Sequence, residues 1–260
     1  MDTAPRILPS GESFSATVND SPGEPGAVRR SPEPPSAFNE GPPREYSPQP
    51  WLIWQLADSA FPTGGFAHSA GLEAAWQHGE VPGSTALIHW LEISLRQLEL
   101  GALPFVNAAH QDPERLADID GLCDAFNTSH VANRSSRLQG RAFLTAAQRV
   151  FKNQPRADPP RFAHLPVVFG VVTQSLGIDL SVAVRLFVFL HLRGVVAAAV
   201  RLNIIGPLEA QAIQFRLSSL AESMSVRGAR LTLDDLAQTA PLHELWQGAQ
   251  DRLYSRLFQS

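Results

Sequence analysis

Residues 54–73 read Trp54-Gln55-Leu56-Ala57-Asp58-Ser59-Ala60-Phe61-Pro62-Thr63-Gly64-Gly65-Phe66-Ala67-His68-Ser69-Ala70-Gly71-Leu72-Glu73. The stretch ends one short apolar helical segment, opened by Trp51, Trp54, Gln55 and Asp58, and starts another. Between them Pro62 fixes a φ angle, and Gly64 and Gly65 supply backbone angles that other residues resist. Ser69 to His78 then reads as a second short helix closed near Gly79. A chain that turns this sharply between helical segments, with no alternating pattern nearby, points to packed short helices.

The same pattern continues to the carboxyl end. Ser84 is the expected N-cap of a longer helix, with Leu87, Leu91, Leu95 and Leu98 at helical spacing. Asp112-Pro113-Glu114 is a start signal, and Leu116, Ile119, Cys123 and Phe126 form the apolar face that follows. A break at Asn127-Thr128-Ser129 leads into a helix over 130–151. A proline-bearing loop over 152–161 precedes one that opens at His164-Leu165-Pro166 and stops at Gly177. Asp179 or Ser181 caps a central apolar helix reaching about Ile205, and Gly206-Pro207 breaks the chain. A helix over 208–223 and a short one capped by Thr232 with Asp235 follow. Leu242, Leu245, Trp246, Ala249, Leu253 and Leu257 give the stripe of a final helix. The expected fold is all-α, a single-domain bundle of about eight to ten helices over 50–260.

Residues 1–49 differ in kind. They hold about half of the 21 prolines and few large apolar residues, so they cannot offset their ordering entropy and are expected to be disordered. Asp2, Glu12, Asp20, Glu24, Glu33, Glu40 and Glu45 argue against a transit peptide, and no signal-type apolar core precedes Trp51. The net charge of −4 gives no electrostatic case for nucleic acid. The run from Val182 to Val200 has nearly the length of a membrane span, but Arg185, His191 and Arg193 interrupt it, which favours a buried helix and no membrane.

Catalytic constellations are not found. No Gly-x-x-x-x-Gly-Lys phosphate loop, His-Glu-x-x-His pair or Cys-x-x-Cys occurs. The single cysteine, Cys123, excludes an internal disulfide and fits a reducing compartment. Among eight scattered histidines and one cysteine, His68 and Cys123 are candidate ligands for a transition metal. Arg134, Arg137 and Arg141 recur at i, i+3 and i+7, either a solvated face or a docking stripe for an acidic partner. The tail Tyr254-Ser255-Arg256-Leu257-Phe258-Gln259-Ser260 combines aromatic and aliphatic anchors with an arginine at a chain end. It is expected to be mobile until a partner groove orders it.

The 54–73 stretch and this tail resemble the signatures of the urease accessory protein UreF family. Further similar stretches are Asn133-Arg134 through Gln139-Gly140-Arg141, His164 to Gly170, Ser175-Leu176-Gly177, and Arg201-Leu202-Asn203-Ile204-Ile205-Gly206-Pro207. The Phe66-Ala67-His68-Ser69 and Arg201–Pro207 forms look closer to plant-type members, which suggests a eukaryotic, cytosolic protein. The resemblance implies an all-α, homodimeric scaffold with no catalysis of its own. Such a scaffold joins a UreD-type (or UreH-type) protein and the GTPase UreG on apo-urease, modulates GTP hydrolysis and assists nickel insertion. It implies no tightly bound cofactor, nickel being handled transiently by the complex. Tyr254, Arg256, Leu257, Phe258 and Ser260 are then expected at the UreD-type partner, and Arg185 and Phe189 at the GTPase. Pro62, Thr63, Gly64, Gly65, Phe66, His68, Gly71, Glu73, Arg134, Gly140, Arg201, Asn203, Gly206 and Pro207 are expected as motif positions that shape the fold. The alternatives are a stand-alone nickel carrier and a helical metal-dependent enzyme using His68.

Overall fold

A computed structural model describes residues 49–152 and 159–260. The proline-rich segment expected to be disordered lies outside them up to residue 48, as do residues 153–158 of the loop before His164. Eleven α-helices and no strands occur among the described residues. They are α1 (Gln49–Ala57), α2 (Leu72–Gln77), α3 (Ser84–Gly101), α4 (Leu103–Gln111), α5 (Leu116–Phe126), α6 (His130–Val150), α7 (Leu165–Ser175), α8 (Leu180–Arg201), α9 (Pro207–Arg216), α10 (Ser218–Gly228) and α11 (Pro241–Ala249).

The apolar helix α8 is the axis. By length and composition it could cross a membrane. Here α1, α2, α3, α4, α7, α9 and α10 pack around it, and Ala183, Val184, Phe187, Val195 and Ala199 are buried. Two glycines let neighbouring helices meet closely. A β-carbon on Gly140 of α6 would fall inside van der Waals distance of the Ala163 carbonyl oxygen, and one on Gly170 of α7 would do so at the Val106 carbonyl of α4. The segment entering α7 is held from α5. The Asp120 carboxylate, fully buried, accepts the backbone N–H groups of Phe162, Ala163 and His164 at 2.7–3.1 Å. Those bonds offset the left-handed φ of 60° at Ala163.

Several stops follow local chemistry. After α2, α7 and α8 the residues Gly79, Gly177 and Asn203 adopt left-handed φ, and the next N–H (Glu80, Ile178, Ile204) returns five residues to Ala75, Thr173 and Ala199. This Schellman geometry caps the last carbonyls. Pro207 then opens α9 in its first turn, so Arg201–Pro207 is one stop-and-restart unit. Ser129 caps α6 by accepting the Ala132 N–H at 3.4 Å, and the Asp235 carboxylate accepts both the N–H and the hydroxyl of Thr232.

Other expectations are corrected. Ser84 is already helical and extended Gly83 stands at the cap position. Gly101-Ala102 divides the leucine-rich helix from α4, a break that periodicity does not mark. The helix expected over 208–223 is two, joined at buried Leu217 and running on to Gly228. The final helix ends at Ala249, because the chain tightens into a 3-10 turn, Gln250–Arg252, that swings Gln250 inward. Leu253 and Leu257 are therefore not on a helix, and Leu242 and Leu245 face solvent.

Candidate functional site

The 54–73 turn and the tail, 184 residues apart at their closest hydrogen-bonded pair, form one cluster. Gly64 has φ 72°, and the hydroxyl of Thr63 accepts the N–H of Gly65. Gly65 itself does not take a positive φ, and a β-carbon there would meet only ordinary contacts. The requirement for an unusual angle thus rests on Gly64 alone. Gly71, at φ 84°, stands before α2, and a β-carbon there would crowd the Gln247 backbone of α11. Between them, Ala67 accepts the N–H of Gln259 at 2.8 Å, and Ser69 donates both its N–H and its hydroxyl to the main-chain oxygen of Ser260.

Glu73 anchors the tail from within α2. Its side chain is buried, the residue being only 2% exposed, and it accepts three hydrogen bonds. Oε1 takes the Leu257 N–H at 2.6 Å. Oε2 takes the Phe258 N–H at 3.0 Å and the Gln250 amide at 2.6 Å. The Phe258 ring is 3% exposed and lies under the Arg201 guanidinium, 4.3 Å from its centroid. The same guanidinium donates to the carbonyl of Phe66. Arg201, from the stop-and-restart unit after α8, thus ties the turn to the tail. His68 Nδ1 is shared by the hydroxyls of Ser260 (2.6 Å) and Ser135 on α6 (3.0 Å). Burial, aided by the Arg134 charge, pushes the His68 imidazole down to about 4, so at neutral pH it is an uncharged hydrogen-bonding group.

Asp251 is the electrostatic hub beside this cluster. Arg134 binds both of its oxygens at 2.8–3.1 Å, Arg256 reaches it at 3.1 Å and His130 at 3.4 Å. The Arg134 bonds hold the Asp251 carboxyl below the usual carboxylate range, and Arg256 and His130 add to this. The docked tail corrects the expectation of a mobile end. Phe258 and Ser260 are buried, while Tyr254 is fully exposed and Leu257 is 53% exposed. Inward residues are anchors, and outward residues form a surface.

A second concave region of about 370 Å3 lies where α8, α9 and α10 meet. Arg185 and Phe189 line it with Leu192, Phe215 and Glu222. Arg185 stands half in solvent and forms a two-point ion pair with Glu222 at 2.6 and 2.8 Å. Phe189 is partly exposed under Arg193, and Phe215 is 83% exposed at the rim.

The two weak metal-ligand candidates occupy unrelated environments. Cys123 is buried in a separate apolar cluster with Phe105, Ile119 and Val167, and burial, with Asp120 beside it, raises its thiol well above the usual range. His68 meets hydroxyls only. Among the described residues no group of three or more His, Cys, Asp or Glu side chains is placed to hold a metal ion.

Residues 81–218 match the family model UreF. Among curated proteins, the chain is 38% identical to urease accessory protein F of Arabidopsis thaliana, covering 81% of this chain and 92% of the relative. It is 36% identical to the same-named protein of Oryza sativa subsp. indica (80% and 84%) and 34% identical to urease accessory protein UreF of Mesorhizobium japonicum (77% and 92%). The chain belongs to the UreF family.

The motif positions by which the sequence resembles that family converge. Phe66, His68, Glu73, Arg134, Arg201, Arg256, Phe258 and Ser260 share one network, whereas Arg185 and Phe189 line the separate α8–α10 cleft. Gly140 and Asn203 serve helix packing and capping, as do Gly206 and Pro207 at the start of α9. Sequence reading missed Ser69, Ser135, Gln250, Asp251 and Glu222. Ser69 and Ser135 lie inside the similar stretches but carry no spacing signal of their own, and each of the five makes its defining bond to a partner more than 35 residues away.

Proposed function

We propose that this protein is a non-catalytic scaffold of urease maturation. It joins a UreD-type protein and a UreG-type GTPase on apo-urease, tunes GTP hydrolysis and assists nickel insertion, with nickel as cargo. It acts in the cytoplasm as a homodimer within that complex. Family membership supports involvement with urease. The observation that carries the finer reading is the division of the tail. Glu73, Arg201 and His68 hold one side of it, which leaves Tyr254 and Leu257 outward as a rigid docking surface for the UreD-type partner. Aromatic and aliphatic groups on a preordered backbone are effective interface anchors. The α8–α10 cleft, with exposed Phe215 and the Arg185–Glu222 pair, fits a separate contact for the GTPase.

Co-purification with both partners tests the reading. Tyr254→Ala with Leu257→Ala should lose the UreD-type protein at unchanged melting temperature. Arg185→Ala should lose the GTPase and keep the UreD-type protein. Retention of both partners by both variants overturns the assignment. A stand-alone nickel carrier would instead show stoichiometric nickel binding when the purified chain is titrated alone, and a metal-dependent enzyme would show turnover alone.

A further inference from the structure

The arginine stripe on α6 is not used up by the tail. Arg134, Arg137 and Arg141, with Asn127, His130 and Leu138, line a polar cleft of about 510 Å3 beside the α5–α6 connection. Arg134 and Arg141 are seven positions apart on the helix, a rise of about 10 Å. Two carboxylates serve this region. Asp251 is taken by Arg134, Arg256 and His130. Asp124 accepts from Asn133 at 2.9 Å, meets His164 at 3.1 Å and lies 4.0 Å from Arg137. Four guanidinium groups therefore face two carboxylates that are already shared, in a chain whose net charge is −4. The Arg141 guanidinium, on an exposed residue, has no hydrogen-bond or ion-pair partner among the described residues.

The cleft is also ordered. Arg137 lies over the Phe162 ring at 5.2 Å, with Arg161 over the same ring at 5.0 Å, and Arg134 is fixed by its two-point contact with Asp251. Asp251 shows the chemistry that these groups hold: a carboxylate gripped by two arginines and a histidine. Leu138, 45% exposed between the arginines, adds an apolar contact that a free anion would leave unused but a polypeptide would cover.

We propose that this cleft binds an acidic segment of a protein partner, whose carboxylates extend the Asp251 contact along α6 onto Arg137 and Arg141. The proposal is independent of the roles assigned to the tail and to the α8–α10 cleft. Guanidinium groups spaced along a helix match carboxylates one or two turns apart on an acidic helix, or alternate side chains of an extended segment.

The probe is a fluorescently labelled hexaglutamate peptide, titrated by anisotropy against the full chain at low and physiological salt. Binding should be measurable at low salt and weaken as salt rises. Arg141→Glu and Arg137→Glu should each weaken it about tenfold, and Arg141→Lys should keep most of it. Arg216→Glu, on the exposed face of α9, should leave it unchanged, and thermal melts confirm that each variant is folded. Displacement by inorganic phosphate at millimolar concentration would reassign the cleft to small anions and overturn the proposal. So would no peptide binding to the unsubstituted chain, or equal losses in Arg141→Glu and Arg216→Glu.

Discussion

Replacing Glu73 by Gln isolates the contact that holds the tail. The amide keeps the size of the carboxylate but offers one acceptor where there were two. Its oxygen is best placed where Oε2 stands, since two donors, the Phe258 N–H and the Gln250 amide, point there. The new NH2 group then faces the Leu257 N–H, which now donates at 2.6 Å to Oε1. One buried donor loses its acceptor, and two bonds to a charged group become bonds to a neutral one. Lost satisfaction costs about 1–3 kcal/mol and the weakening adds to it, so the docked tail should lose about 3 kcal/mol. Undocking relieves the conflict, because the tail amides can then bond to water. The predicted result is local release, with the bundle intact.

Hydrogen exchange reads this directly. A loss of about 3 kcal/mol accelerates exchange of the Leu257 and Phe258 amides by about two orders of magnitude, provided that they exchange through local opening. Amides in α8 should keep their protection. Tyr254→Ala is the control, since that side chain is fully exposed and should leave the tail amides unchanged. Exchange of Leu257 and Phe258 in Glu73→Gln within about threefold of the unsubstituted protein would refute the claim that this carboxylate anchors the tail.

Two further predictions concern the bundle. Gly140→Ala should cost more than about 3 kcal/mol, because the added carbon would meet the Ala163 backbone, whereas Gly65→Ala should stay within about 1 kcal/mol; chemical denaturation separates them. His243 stacks on Trp90 at 3.7 Å, and burial, with His191 and His89 nearby, pushes its imidazole down from 6.5 to about 4. Its contribution is complete above 6.5 and lost as pH falls toward 4, because the unfolded chain takes up the proton first. Between pH 7 and 5 the protein should lose about 2 kcal/mol through this group, a loss that His243→Phe should remove; an equal pH slope in the variant would exclude His243 as its source.

The helix stops were legible because their chemistry is local. Gly79, Gly177 and Pro207 act on their own turns, and Thr232 with Asp235 closes within three residues. The convergence of turn, α6, Arg201 and tail was not legible, because no local rule joins Glu73 to Leu257 or His68 to Ser135. Periodicity also misled at the carboxyl end. The i+4 rhythm that passes through Ala249 continues to Leu253 and Leu257, yet the residue that the core takes is Phe258, off that rhythm. A 3-10 turn has reset the chain, and backbone bonds to Glu73 now choose which side chain faces inward.

That choice gives the tail's residues two distinct ways to affect a partner. Tyr254 is outward, so Tyr254→Ala should weaken capture of a UreD-type protein by removing contact, with the docked fraction of the tail unchanged. Phe258 is inward, under Arg201, so Phe258→Ala should weaken capture only by lowering the docked fraction, and apparent affinity falls in proportion to that fraction. Losing the ring removes about 2 kcal/mol of burial and about 1 kcal/mol of cation–π attraction, enough to make the free tail a major species if docking is marginal. Hydrogen exchange at Leu257 measures the docked fraction, and a binding isotherm on the same sample measures the affinity. The two should track each other in Phe258→Ala and separate in Tyr254→Ala. A Phe258→Ala protein with a freely exchanging tail and undiminished capture would mean that the partner recruits the undocked tail. The network around Glu73 would then oppose assembly instead of preparing for it.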